Sequence, residues 1–185
     1  MGGFFLTMKK LLDTKQLKET ISSMADTLLA SWKKGGLNMQ DVAFVGIRTR
    51  GVPLAARLKL EIEGRTKQKV NMGILDITLY RDDLSQLAEY PVMKKTEIDF
   101  SLEGKTIYLV DDVLYTGRTV RCALDALFDF GRPKAVKLVV MVERNGRELP
   151  IQADITGVRY DAKPGDNVKV KFVETDGEDG VGVLE

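Results

Sequence analysis

The chain has no histidine, a single cysteine and a single tryptophan. Without histidine, Ser–His–Asp triads, His-ligated metals and imidazole general bases are all excluded. The lone Cys122 excludes an intramolecular disulfide and a cysteine-built zinc site. Long apolar runs are also missing, and none approaches the ~18–20 residues of a membrane span. The opening MGGFFLT has no basic region and only a short apolar stretch, unlike a signal peptide. Met8-Lys9-Lys10 reads as an alternative start with residues 1–8 as an extension, and the expected compartment is the cytoplasm. Neither charge is in excess: 28 Lys and Arg face 27 Asp and Glu, a net +1, which excludes a wholly basic nucleic-acid coat but leaves room for a local patch.

What is present is 185 residues, 44% hydrophobic and 30% charged. That suits one domain whose core removes about 70% of the unfolded chain's surface from water. Charge is unevenly placed. Residues 1–60 carry ten Lys and Arg against four Asp and Glu, and residues 161–185 carry three against seven. The asymmetry fits an anionic ligand near the N-terminal half, and equally fits ordinary surface variation.

Apolar residues at Leu17, Ile21, Met24, Leu28 and Trp32 recur at helical spacing, and Gly35-Gly36 stops that helix. Val42–Ile47 is a continuous apolar run, as expected of a strand buried on both faces. Arg48-Thr49-Arg50-Gly51 breaks it, and Val52–Glu63 reads as a helix with Pro53 in its first turn. Lys69–Leu79 alternates loosely as a strand. Tyr80–Asp99 is polar and aperiodic, a length that inside a compact domain marks a functional or mobile segment. Thr106–Val110 and Ala135–Val142 are further buried-strand runs, separated by a loop over 111–119 and a helix over 120–130. Strand–helix alternation argues for a parallel sheet with helices on both faces. Val168–Val173 and Val181–Leu184 read as short strands of an edge or small hood.

The chemistry concentrates in Ile107–Thr119. An apolar strand delivers Asp111 and Asp112 at its carboxyl end, where ligands of open α/β sheets sit. Thr116-Gly117-Arg118-Thr119 then opens a helix, whose free N–H groups and Thr hydroxyls suit a phosphate. Acceptors for hydroxyls at one end and a phosphate cradle at the other match a sugar phosphate with vicinal hydroxyls. Taken alone, Asp-Asp before a turn is also compatible with plain helix capping.

The whole string, Ile-Tyr-Leu-Val-Asp-Asp-Val-Leu-Tyr-Thr-Gly-Arg-Thr, resembles the 5-phosphoribosyl 1-diphosphate signature of the type I phosphoribosyltransferases, and most closely that of the PyrR family. Three more blocks resemble that family in the right order. They are Val45–Gly51 as a diphosphate loop, Asp76–Leu84 as a flexible loop, and Arg147–Ile151 with Ala153-Asp154 as a base-side block. The resemblance spans about residues 9–175. It implies one α/β domain over 1–185 with the type I phosphoribosyltransferase fold: a central, mostly parallel sheet flanked by helices, a small hood and C-terminal strands over 143–185, and a flexible lid over 80–100. It also implies a pyrimidine-operon regulator that is a uracil phosphoribosyltransferase, making UMP and diphosphate from uracil and 5-phosphoribosyl 1-diphosphate.

By the same resemblance, Asp111 and Asp112 hold the ribose hydroxyls directly or through Mg2+, and Val113, Leu114 and Tyr115 lead into Thr116, Gly117, Arg118 and Thr119, which grip the 5-phosphate. Arg48, Thr49, Arg50 and Gly51 meet the diphosphate. Tyr80, Arg81 and Asp82 are lid candidates, and Val142 and Arg144 lie on the base side. No residue stands out as a general base. Purine-specific members carry an Asp just before the Thr-Gly pair; here that place is Tyr115, which favours a pyrimidine.

The family also binds leader messenger RNA of pyrimidine genes when UMP rises and forms homodimers or larger homo-oligomers. Arg144, Arg147 and Arg159 are candidate RNA contacts. Two departures bear on this. Where RNA-binding members usually read Arg-Gly-His-Arg-Glu-Leu, this chain reads Arg144-Asn145-Gly146-Arg147-Glu148-Leu149. Where a His commonly follows an Ile-Ala or Met-Ala pair in the first helix, Asp26 follows Met24-Ala25. A salvage enzyme without RNA binding and a non-catalytic UMP sensor stay open beside the dual reading.

Overall fold

A computed structural model describes residues 8–81 and 95–184. In chain order the elements are β1 (Met8–Leu12), α1 (Thr14–Gly35), β2 (Val42–Ile47), α2 (Gly51–Thr66), β3 (Asn71–Leu75), β4 (Thr106–Leu114), α3 (Arg118–Phe128), β5 (Ala135–Arg144), β6 (Ile155–Tyr160), β7 (Asn167–Lys171), the single turn α4 (Val173–Asp176) and β8 (Gly180–Leu184). Among the described residues no helix is long and apolar enough to cross a membrane.

The longest helix is specified at both ends. Asp13 caps α1 by accepting from the Gln16 amide, and the Gln16 side chain accepts from the Asp13 amide in return. Gly36, at φ 64°, turns the chain out of the helix. Its buried stripe, Leu17, Ile21, Met24, Leu28 and Trp32, is the periodic set read from the sequence, with Ala25 beside it.

Five strands form a parallel sheet in the order β3-β2-β4-β5-β6. The continuous apolar runs of β2, β4 and β5 make sense because both faces are covered. Val42, Phe44, Tyr108, Val110, Val139 and Met141 pack with α1 and α2 on one face; Ala43, Val45, Ile47, Ile107, Leu109 and Val140 pack with α3 on the other. Alternate residues of one strand thus serve two cores, as a period of two requires. Trp32, Phe44 and Tyr108 meet as tilted rings with centroids 5.5–6.1 Å apart.

The expected hood is a separate antiparallel sheet, β1-β8-β7, built from both ends of the chain. Its Val168, Val170, Phe172, Val181 and Val183 join the core on the α1–α2 side. Met8 is paired with Leu184 in this sheet.

Four boundaries differ from the sequence reading. The first is β4, which runs on through Asp111 and Asp112 to Leu114, so the loop shrinks to Tyr115–Gly117. The aspartates stay in the strand because their carboxylates take the following amides, Asp112 N at 2.9 Å and Val113 N at 3.0 Å, while β5 still pairs with Asp111, Val113 and Leu114. The second is β3, cut short at Leu75 because Asp76 folds back on Thr78, accepting from its amide and its hydroxyl. The third is β6, which the sequence reading missed: it lies in the main sheet, so only part of 143–185 is hood. The fourth is β1, missed at the other end. Both missed strands are short; the partner of β1 is remote in sequence, and β6 follows its partner β5 only after a long connection.

Candidate active site

Pairing between β2 and β4 ends at Gly46 and Val110, whereas β5 accompanies β4 as far as Leu114. The strand that carries Asp111 and Asp112 is therefore open on its β2 side at its carboxyl end. Asp111 is 6% exposed and Asp112 is half-buried. Burial raises the Asp111 carboxyl well above the ordinary carboxylate range, and the neighbouring charge of Asp112 raises it further. Burial also raises Asp112, opposed by its hydrogen bond with Asp111 and by the charge of Arg50. Two carboxylates are held where they carry negative charge reluctantly, a state that hydroxyl donors or a cation would relieve. Leu114 is core, and Val142 is fully buried between Val113 and Val158, so both support the wall from beneath.

After Leu114 the chain turns through Tyr115 and Thr116 to Gly117, at φ 93°, which precedes α3 and has no side chain to cap it. The Thr116 hydroxyl accepts from the Arg118 amide at 3.3 Å. The turn is strapped by the block over 147–149. The Thr116 carbonyl accepts from the amides of Glu148 and Leu149, both at 3.0 Å, and Arg147 Nη1 donates to the Tyr115 carbonyl. Arg118 pairs with Glu148 at 2.7 Å. Thr119 is exposed at the start of the helix.

The Tyr115 ring turns onto this strap. The Arg144 guanidinium stacks over it at 3.9 Å from the centroid, while Arg144 also donates to the Asp166 carbonyl at 2.7 Å.

On the opposite wall, the chain leaves β2 through Arg48, Thr49 and Arg50, with the Arg48–Thr49 peptide cis, and enters α2 at Gly51. A Cβ at Gly51 would lie 2.2 Å from the Val110 carbonyl oxygen. Gly51 is thus required for α2 to begin against β4 beside Asp111, a constraint that sequence reading attributed to the ligand alone. Arg48 donates to the Lys95 carbonyl and to Glu97, and so braces the segment returning along β3, where Glu97 bridges Ile74. Arg50 makes a two-pronged pair with Asp176, 2.6 Å and 3.2 Å. A pocket of 200 Å³ joins these walls, lined by Arg48, Thr49, Asp76, Thr78, Arg81 and Thr119.

Of the lid candidates, Arg81 lines that pocket, Tyr80 donates its hydroxyl to Asp129 beyond α3, and Asp82 lies outside the described residues.

The charge asymmetry of the sequence has an internal explanation. Acids of the tail pair with arginines of the N-terminal half: Asp176 with Arg50, and Glu174 and Asp179 with Arg57. Sequence reading passed over Asp176 and also over Glu143, the hub that accepts from Arg147, Thr156 and Arg159. The opposite net charges of the two ends were the available signal for the first. Glu143 had none, because two of its partners, Thr156 and Arg159, stand on β6, the strand that sequence reading missed.

Arg144, Arg147 and Arg159 do come together, around an open depression of 360 Å³ that also includes Glu143 and Asp161. Asp26 is not an isolated acid: Arg65 holds it at 2.7 Å and reaches Glu61 at 3.0 Å.

Residues 8–175 match the phosphoribosyl transferase domain. The chain is 48% identical over 179 residues to the bifunctional protein PyrR of Pelotomaculum thermopropionicum, covering 95% of each. To the bifunctional protein PyrR of Elusimicrobium minutum it is 49% identical over 178 residues, covering 96% of this chain and 97% of that one. Among solved structures, the hypoxanthine phosphoribosyltransferase of Trypanosoma cruzi in complex with the product IMP superposes with a TM-score of 0.72 at 19% identity, over 100% of this chain and 98% of that one. A hypoxanthine-guanine phosphoribosyltransferase of Bacillus anthracis gives 0.67 at 16%, over 97% and 99%. The last two likenesses concern the fold. With the open carboxylate pair, the glycine at the helix start and the matches over nearly the whole length, the chain belongs to the PyrR family of phosphoribosyltransferases.

Proposed function

We propose that this protein transfers the phosphoribosyl group of 5-phosphoribosyl 1-diphosphate to uracil, releasing UMP and diphosphate, and that it regulates pyrimidine genes by UMP-dependent binding of leader RNA. One observation carries the enzymatic part: a buried and a half-buried carboxylate, side by side at the open end of β4, one short turn before a helix start whose N-cap is a glycine. The aspartates accept the ribose 2′- and 3′-hydroxyls, and the turn Thr116–Thr119 takes the 5-phosphate on its amides and hydroxyls. Arg50 and the loop that carries it meet the diphosphate.

In the reaction a uracil ring nitrogen bonds to C1 of the sugar as the C1–oxygen bond to diphosphate breaks; the nitrogen's proton passes to solvent. The sugar develops oxocarbenium character, as in glycoside chemistry, beside the acceptor oxygens of Asp111 and Asp112 and the departing diphosphate. Positioning supplies much of the acceleration, since no histidine is present to shuttle a proton.

Mg2+ fits as a group held largely by substrate. Among the described residues no cluster of three or more His, Cys, Asp or Glu side chains is arranged to hold a metal. Two carboxylates completed by substrate oxygens are the kind of set magnesium accepts. It would neutralise the leaving diphosphate. Tyr115, stacked on Arg144 where purine-specific members carry an acid, supports a pyrimidine. The gathering of Arg144, Arg147 and Arg159 on one surface supports RNA binding, and Arg65, shared with Glu61, offsets part of the charge of Asp26. Assembly as a homodimer or larger homo-oligomer rests on the family resemblance.

The test is diphosphate release from 5-phosphoribosyl 1-diphosphate with uracil, hypoxanthine and orotate in parallel, with and without Mg2+. Release with uracil alone, lost on chelation, is expected. Release with hypoxanthine or orotate but not uracil would overturn the assignment.

A further inference from the structure

On one face of α2, two arginines seven residues apart clamp the same turn of the hood. Arg57 donates to both oxygens of Glu174 and both of Asp179, with its guanidinium also 5.0 Å from the centroid of the Phe172 ring. Arg50, at the head of the helix, takes Asp176 through Nε and Nη2. The turn cannot follow a moving arginine, because it is fixed from within as well. Asp176 also accepts from the Phe172 amide at 3.0 Å, and Asp179 from the Val173 amide at 2.8 Å. The Asp176 side chain is only 14% exposed, while that of Arg50 is 37% exposed.

We propose that Asp176 is a positioning residue for polyanion binding: from the hood, it fixes the guanidinium of Arg50 at the edge of the site. A guanidinium has five N–H donors along three edges and can serve two acceptors at once. The pair with Asp176 uses one edge, and Nη1 makes no hydrogen bond to a described residue. Asp176 thus removes the rotamer freedom of a long side chain before the ligand arrives, leaving donors for the ligand's oxygens. The hood turn thereby becomes part of the binding site without touching the reacting atoms. The inference rests on the reading of Arg50 as a diphosphate contact.

The experiment compares Asp176→Asn with Asp179→Asn. Both remove one carboxylate from the same turn, but Asp179 serves Arg57, away from the site. In Asp176→Asn, KM for 5-phosphoribosyl 1-diphosphate rises about tenfold while KM for uracil and kcat hold within about twofold. In Asp179→Asn both KM values stay at wild type. An unchanged or lowered KM in Asp176→Asn, or an equal rise in Asp179→Asn, overturns the proposal. The same pair is compared by thermal shift with inorganic diphosphate, which needs no turnover. Stabilisation is weakened only in Asp176→Asn if the proposal holds, and weakened in neither or in both if it fails. Absence of uracil turnover in the wild type would count against the enzymatic reading and leave this second readout standing.

Discussion

Tyr115 and Gly146 are complementary in shape: a Cβ built on Gly146 would lie 2.4 Å from Cε2 of the Tyr115 ring. The glycine is at φ 100°, and the tyrosine ring fills the space between it and Arg144. Gly146→Ala should displace the ring and lower stability by about 1–3 kcal/mol through overpacking, with backbone strain added. In a Tyr115→Ala background the overpacking part disappears. A double-mutant cycle read by urea unfolding checks this, and a coupling energy near zero would show that the two residues do not share the space.

Gly51→Ala tests the close approach of α2 to β4. The added carbon meets backbone, the Val110 carbonyl, and neither partner can swing aside. A loss of about 3 kcal/mol or more is expected, with turnover lost as the Asp111 wall shifts. A variant with wild-type Tm and activity would refute the packing argument.

Asp111→Asn separates stability from function. Burial raises the Asp111 carboxyl above its unfolded value, so its contribution to stability is full below the ordinary carboxylate range and is lost as pH rises through the folded value. An amide cannot ionise and keeps an oxygen for the Asp112 amide. The ligand-free variant should match wild type near pH 4 and melt higher at pH 7, by about 3–5 °C. With Asp112→Asn added, turnover should vanish. Full activity in the double variant would remove the hydroxyl-binding role.

Glu63 has the opposite sign. It accepts from the Val70 amide and pairs with Lys59 and Lys69, which hold its carboxyl down to about 2. Its stabilisation is present above the ordinary glutamate range and is lost as pH falls toward 2. Glu63→Gln should lower Tm at pH 7 by about 3 °C and leave little difference from wild type at pH 2. Melting curves across that range are the check; a constant offset at every pH would mean the charge is irrelevant.

RNA binding is tested by filter titration against the leader RNA of the organism's own pyrimidine genes, with and without UMP, at two salt concentrations. UMP-enhanced binding that weakens steeply with salt is expected, and Arg147→Ala should weaken it roughly uniformly. Since Arg147 also holds the Tyr115 carbonyl and Glu143, uracil turnover of that variant is measured in parallel. A wild-type preparation that turns over uracil but binds no leader RNA would leave a salvage enzyme on a regulator's scaffold.

Sequence alone determined a good deal. The stripe from Leu17 to Trp32, the apolar runs of β2, β4 and β5, and the Asp111–Thr119 string each lie within one contiguous stretch. Local periodicity and spacing therefore encode the helices, the buried parallel strands and the place of the ligand. Tertiary structure decided what depends on remote partners. It paired Met8 with Leu184, put β6 on the main sheet, and stacked Tyr115 between Arg144 and Gly146. It also turned an uneven charge distribution into the pairs of Arg50 and Arg57 with the tail. An ion pair between residues more than a hundred positions apart leaves no periodic trace in either stretch. Its geometry exists only once the two sheets have packed around a shared core and brought the hood to the edge of the site.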